Sequence, residues 1–297
     1  MMNEKRLMTA FAWGLILLVS DLPDILLKAF GGRIPDGFFW MKAGLLGVSL
    51  AVCLLWKRIR PLAPFALVFF VFFLALGLSS WAGKTPWWLG RFGGPNVSFT
   101  MGYLGLYILD TGVALAVIAA LWIIKRRRSE FFLVKGGLSA PIGPVRWLGI
   151  RSGESWRTFG WIFALVAGAA VAIPTFLSVH LVKGTLGRAA VLIPAVLLFA
   201  AINAFNEEVY FRASLLSTLK DVIGGNQALL VAAVFFGLSH YLYGSPPGVP
   251  GFLMTGFLGW ILGKSMLETK GFLWPWFIHF VPDVVVFAYY AVSWVQR

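Results

Sequence analysis

Residues 191–213 read VLIPAVLLFAAINAFNEEVYFRA. An apolar run leads into two adjacent carboxylates, Glu207 and Glu208, followed four residues later by the guanidinium of Arg212. An apolar stretch of about 20 residues is long enough to cross a bilayer as a helix. Charges inside such a stretch are costly, so they mark function by default. The same texture recurs along the chain: 59% of the 297 residues are hydrophobic and only 12% are charged, and mean hydropathy is +0.83. Soluble domains carry about 25% charged residues. The composition therefore indicates an integral, multi-pass membrane protein. Its apolar segments lack the alternation of a barrel, so the fold class is all-α, a polytopic transmembrane helix bundle.

Nine spans are predicted, at about 7–30, 38–56, 61–81, 99–124, 159–181, 188–215, 228–244, 250–267 and 272–295. The number falls to eight if the first, interrupted by Asp21, Pro23 and Asp24, does not cross. Of the 25 lysines and arginines, seventeen lie toward the inside and eight toward the outside when the N-terminus is inside, which favours an N-in topology. The first run reads as a signal-anchor. Three regions follow: a four-helix membrane region at 1–124, a basic cytoplasmic loop at 125–158, and a catalytic membrane region at 159–297. The loop contains KRRR (125–128) and GGLSAPIGP, and its charge suits contact with anionic lipid. The net charge of +13 does not indicate nucleic acid, because no basic patch interleaves with exposed aromatics. Cys53, the single cysteine, excludes an internal disulfide framework and reads as a packing residue. The compact chain and short loops fit a prokaryotic plasma membrane.

The unusual chemistry falls in the last third. Glu208 and Arg212 are four apart with the acid first, the favourable order for an ion pair on one helix face. Glu207 is turned about 100° from Glu208 and shares its face with Asn203. One carboxylate is thus neutralised locally while the other is left for general acid or base work. Phe236 and His240 are four apart in FFGLSHYLYG, and His279 and Asp283 are four apart in FIHFVPDVVVF. A lone membrane histidine is often only a helix–helix hydrogen-bonding group, and a Glu–Arg pair at a helix end can be an interfacial anchor. Six ionisable groups on three helices go beyond both bland readings. The third histidine, His180, reads as interfacial, and Asp110 as a structural hydrogen-bonding group.

EEVYFR (207–212), FGLSH (236–240) and HFVPD (279–283), in that order on successive helices, resemble the CAAX protease and bacteriocin-processing family, also described as abortive-infection proteins. These are intramembrane glutamic-type endopeptidases. WLGIRSGESWRTFGW (147–161) adds to the resemblance, which covers about residues 147–297. It implies that Glu207 and His240 hold and deprotonate a water, and that His279 with Asp283 stabilises the oxyanion. It also implies that Glu208 fixes the motif through Arg212, with Phe236 and Asn203 in support. Relatives commonly carry Asn at the last position. Asp283 must then either be protonated or instead orient His279.

The mechanism read here needs no cofactor. The alternative is Zn²⁺ held by Glu207, His240 and His279 with an open position, although no HExxH spacing is present. The implied partners are the bilayer and a membrane-anchored protein or peptide, either a lipidated CAAX-type substrate or a sorting or precursor tail. Two other functions compete: an ion- or proton-coupled transporter using the buried Glu, His and Asp, and a non-catalytic immunity or scaffold protein on the same fold. One mismatch stands out. His240 lies roughly 20 Å into its predicted span at 1.5 Å per residue, deeper than Glu207, so either the span boundaries lie elsewhere or the site sits near mid-membrane in a water-filled cavity.

Overall fold

The computed structural model describes residues 3–124, 127–151, 153–177, 179, 181–244 and 246–296. His180, Lys125, Arg126 and Arg297 lie outside these. Regular structure among the described residues is helical, with two isolated bridges, Pro141 to Ser155 and Val145 to Ile150, and no strand.

Helix α1 (Glu4–Val19) starts where the Asn3 side chain accepts the Lys5 amide at 3.2 Å, a helix-capping contact. It stops before the Asp21–Pro23–Asp24 interruption, and α2 (Leu22–Ala29) leaves at 54°. The bend frees the Ser20 carbonyl, which accepts Lys42 Nζ of α3 (Phe38–Leu55) at 2.7 Å. The same ammonium pairs with Asp24. Lys42 and Arg212, both buried, are therefore structural cations and carry no topological information. Next come α4 (Ala63–Gly83), the short α5 (Pro86–Phe92) and α6 (Phe99–Ile124).

After the loop, α7 (Trp156–Leu177) and the short α8 (Thr185–Ala190) lead to α9 (Ile193–Glu207). A π turn (Glu208–Ala213) continues α9 directly into α10 (Ser214–Leu219). Then follow α11 (Gly225–Tyr243), α12 (Val249–Thr269) and α13 (Leu273–Val295), which stays helical through Pro282.

Each of the nine expected segments contains helix among the described residues. Five helical runs are long and apolar enough to cross a membrane: Phe38–Leu55, Arg60–Gly83, Phe99–Ile124, Trp156–Leu177 and Leu273–Val295. The bent pair α1–α2 makes a sixth. The other three runs are diluted by what they carry: the charged π turn in the run 193–219, Asn226, Gln227 and His240 in α11, and Lys264 and Glu268 in α12.

One apolar core joins the early helices to the motif helix. Phe69 of α4 meets Phe235 of α11 edge-on with centroids 5.3 Å apart, and Phe72 stacks on Tyr210 of the π turn at 5.1 Å. The loop after α6 folds as a strap over the α12–α13 turn. Gly137 N donates to Thr269 O and Phe272 N to Val134 O, each at 2.8 Å. Gly136, at φ 78°, packs its backbone on Gly271 so closely that no side chain fits at either position. Trp274 Nε1 donates to Leu138 O at 2.9 Å, and Trp156 Nε1 to Glu268 Oε2 at 2.9 Å.

Candidate active site

The π turn delivers the acids. Such turns insert one extra residue into a helical run and are frequent at functional sites. All six residues of this one, Glu208 to Ala213, are buried. Glu208 and Arg212 are fully buried, with Oε1 and Nη2 3.4 Å apart, the ion pair expected from their spacing. Glu208 Oε1 also lies 2.8 Å from His279 Nδ1, whose N–H donates to it. The Arg212 guanidinium stacks 3.8 Å from the Phe236 ring centroid, a cation–π contact in a dry setting.

Glu207 is different. Its side chain is 20% exposed, against 13% for Asp283 and 0% for Glu208, so it is the most open acid of the cluster. Its Oε2 lies 3.5 Å from His279 Nε2, and Asp283 Oδ1 lies 3.7 Å from the same nitrogen. Asn203, on the face expected, sits between the two acids: Nδ2 donates to Asp283 Oδ2 at 3.0 Å and to Glu207 Oε1 at 3.4 Å. Glu207, Glu208, His279, Asp283, Asn203 and Arg212 are therefore one connected cluster. It joins the run 193–219 to α13.

Among the described residues, His240 meets this cluster through Phe236. Its Nδ1 lies 2.9 Å from the Phe236 carbonyl, which can only accept, so Nδ1 carries the proton in that bond and Nε2 is left without one in the neutral ring. Ser239 Oγ lies 3.0 Å from the same nitrogen. The Phe236 ring stands 4.4 Å from the His240 ring and 5.8 Å from that of His279, and so separates the two imidazoles. The depth mismatch also eases. The motif helix runs to Leu219, beyond the end expected for it, which places Glu207 about 18 Å from that end. His240 lies about 22 Å from the start of α11, so the two offsets differ by only about 4 Å.

Residues 189–285 match the family model described as type II CAAX prenyl endopeptidase Rce1-like. This part of the chain is similar to the CAAX protease family. The matched segment holds all three motifs and both histidines, whereas residues 147–161 lie outside it. No curated protein and no solved structure matches the chain. The match to this family and the long apolar helices support an integral membrane protein and, at the level of the family, an intramembrane endopeptidase.

The zinc set considered from sequence is not gathered. Among the described residues, no group of three or more His, Cys, Asp or Glu side chains is placed to hold a metal ion. Both nitrogens of His279 already face carboxylates, and His240 turns Nδ1 to its own helix. The donors present do not fit a His₂Glu site.

Several contributors were invisible in the motifs. Tyr107 of α6 donates to Asn203 Oδ1 at 2.9 Å. Asp110 takes hydrogen bonds from Tyr210 Oη at 2.8 Å and Asn206 Nδ2 at 3.1 Å, the structural part read for it. A cavity of about 800 Å³ lined by Lys5, Arg6, Asn226 and Gln227 opens at the ends of α1 and α11 and holds none of the motif residues.

Proposed function

We propose that the protein is an intramembrane endopeptidase that hydrolyses a peptide bond near the end of a lipidated or otherwise membrane-tethered protein. The bundle is taken to be the nine-span, N-in arrangement, in a prokaryotic plasma membrane. One observation carries the reading: Glu207 is the partly open acid of an otherwise buried Glu–His–Asp–Arg cluster. Glu207 removes one proton of a water, and the unprotonated Nε2 of His240 holds the other hydrogen in a hydrogen bond without taking it. The water oxygen adds to the scissile carbonyl carbon. The resulting oxyanion takes a hydrogen bond from Nε2–H of His279, held in its doubly protonated form by Glu208 on one side and Asp283 on the other. Glu207 then passes its proton to the amide nitrogen as the C–N bond breaks.

Asp283 orients His279 in this scheme and does not donate. That suits an oxygen already accepting from the Asn203 amide. The mechanism is of the glutamic type, with all proton transfers on protein groups.

The test is cleavage of prenylated and unmodified membrane-tethered peptides by the wild type and by Glu207→Gln, each with and without a chelator. A loss of roughly 10²–10⁴-fold in the variant, with no chelator effect on the wild type, is the expected result. Loss on chelation would overturn the glutamic mechanism. Failure of the folded wild type to cut any substrate would overturn the endopeptidase reading.

A further inference from the structure

The matched family segment begins at residue 189, yet Glu207 is held in part, through Asn203, from α6, eighty residues and more upstream. Tyr107 is 6% exposed, in a wall of rings: Phe199 stacks on it at 5.6 Å and Phe287 lies 5.8 Å away. Its hydroxyl donates to Asn203 Oδ1 at 2.9 Å. The opposite end of that amide donates to Asp283 Oδ2 and Glu207 Oε1. An amide has one acceptor end and one donor end. A donor fixed on the acceptor end therefore keeps both amide protons aimed at the carboxylates. One turn along α6, Asp110 binds Asn206 and Tyr210, so the same helix grips the motif run on both sides of Glu207.

The geometry points to Tyr107 as a positioning residue: through Asn203 it sets the orientation of Glu207 and Asp283 for hydrolysis. This rests on Glu207 being the general base, and it adds to the catalytic machinery a helix outside the family segment. Without the hydroxyl, the Phe ring keeps the packing, but the half-buried Asn203 oxygen loses its donor. The amide is then free to rotate, and the acid loses its alignment with the water.

The test uses the full chain in lipid vesicles as wild type, Tyr107→Phe, Asn203→Ala and the double variant, with two readouts. The first is kcat and KM on a membrane-tethered peptide. Tyr107→Phe is expected to lower kcat about tenfold with KM within about twofold, and to have no added effect on top of Asn203→Ala. The second is the rate at which a hydrophobic carbodiimide modifies Glu207, read by mass spectrometry. It needs no substrate and is expected to change by about threefold or more in both single variants. Independent, multiplying effects in the double variant, or wild-type behaviour of Tyr107→Phe in both readouts, would overturn the assignment. If the wild type cleaves nothing, the endopeptidase reading fails by itself, and the labelling rates still decide whether Tyr107 positions Glu207.

Discussion

Removing the Glu208 carboxylate while leaving Arg212 should destabilise the protein more than removing Arg212 while leaving Glu208. The two charges are fully buried with 3.4 Å between Oε1 and Nη2. At an effective dielectric near 20 their attraction is about 4–5 kcal/mol. In Glu208→Gln the guanidinium loses its closest counter-charge and keeps the face of Phe236, worth about 2 kcal/mol when dry. Several of its donors are already without a hydrogen bond, so little else can compensate. Breaking a buried pair in this way costs about 3–5 kcal/mol. Arg212→Met leaves Glu208 still bonded to His279 Nδ1 at 2.8 Å and removes the costliest buried cation, so about 1–2 kcal/mol is expected. The double variant should match Arg212→Met closely rather than the sum. Cys53 offers the assay, being the single cysteine and fully buried in the core shared with the π turn. A fluorogenic maleimide followed on a thermal ramp reports unfolding when that thiol becomes accessible. A lower midpoint for Arg212→Met than for Glu208→Gln, or additive losses in the double variant, would refute the reasoning.

The two histidines should separate in the same pair of assays. His240→Ala is expected to lose about 10²–10⁴ in kcat with little change in midpoint, since the side chain bonds only within its own helix. His279→Ala should lose activity and several degrees of midpoint together, because it removes the partner of buried Glu208. At Gly259→Ala the new methyl would stand 2.8 Å from Phe236 Cδ1 and push the ring that separates the imidazoles. Activity should fall by about 10² for a stability loss of about 1–3 kcal/mol, and wild-type kinetics would show that Phe236 placement does not matter. Gly136→Ala meets Gly271 Cα at 2.7 Å and an unsuitable φ of 78°, so limited proteolysis should begin to cut within 133–145. Protection equal to wild type would count against the strap being pinned there.

The helical segments and the motif faces were readable because both rest on local rules. Apolar length marks a span, and a spacing of four places Glu208 beside Arg212 and Asn203 beside Glu207. The interruption at Asp21–Pro23–Asp24 appeared as a bend for the same reason. Other features were not readable. Nothing in EVYFRA distinguishes a π turn from an α-helix, because the extra residue is retained by burial on all sides. Tyr107 looks like any aromatic of an apolar run, and its partner is 96 residues away. The loop 125–158 was read through its charge, whereas glycine backbone contacts and tryptophan N–H groups hold it to the α12–α13 turn. His240 and His279 were separable only in three dimensions, where a ring stands between them.

The shared core, in which Phe69 and Phe72 meet Phe235 and Tyr210, bears on how such a protein changes over time. The recognisable segment, 189–285, does not close its own core. Cut out at its edges, it would expose the apolar face that α4 and α6 now cover, and it would release Asn203 from Tyr107. Substitutions in the unmatched helices are therefore constrained by the matched ones. Grafting this segment onto another set of leading helices would succeed only if they brought their own rings and their own hydroxyl to the same places.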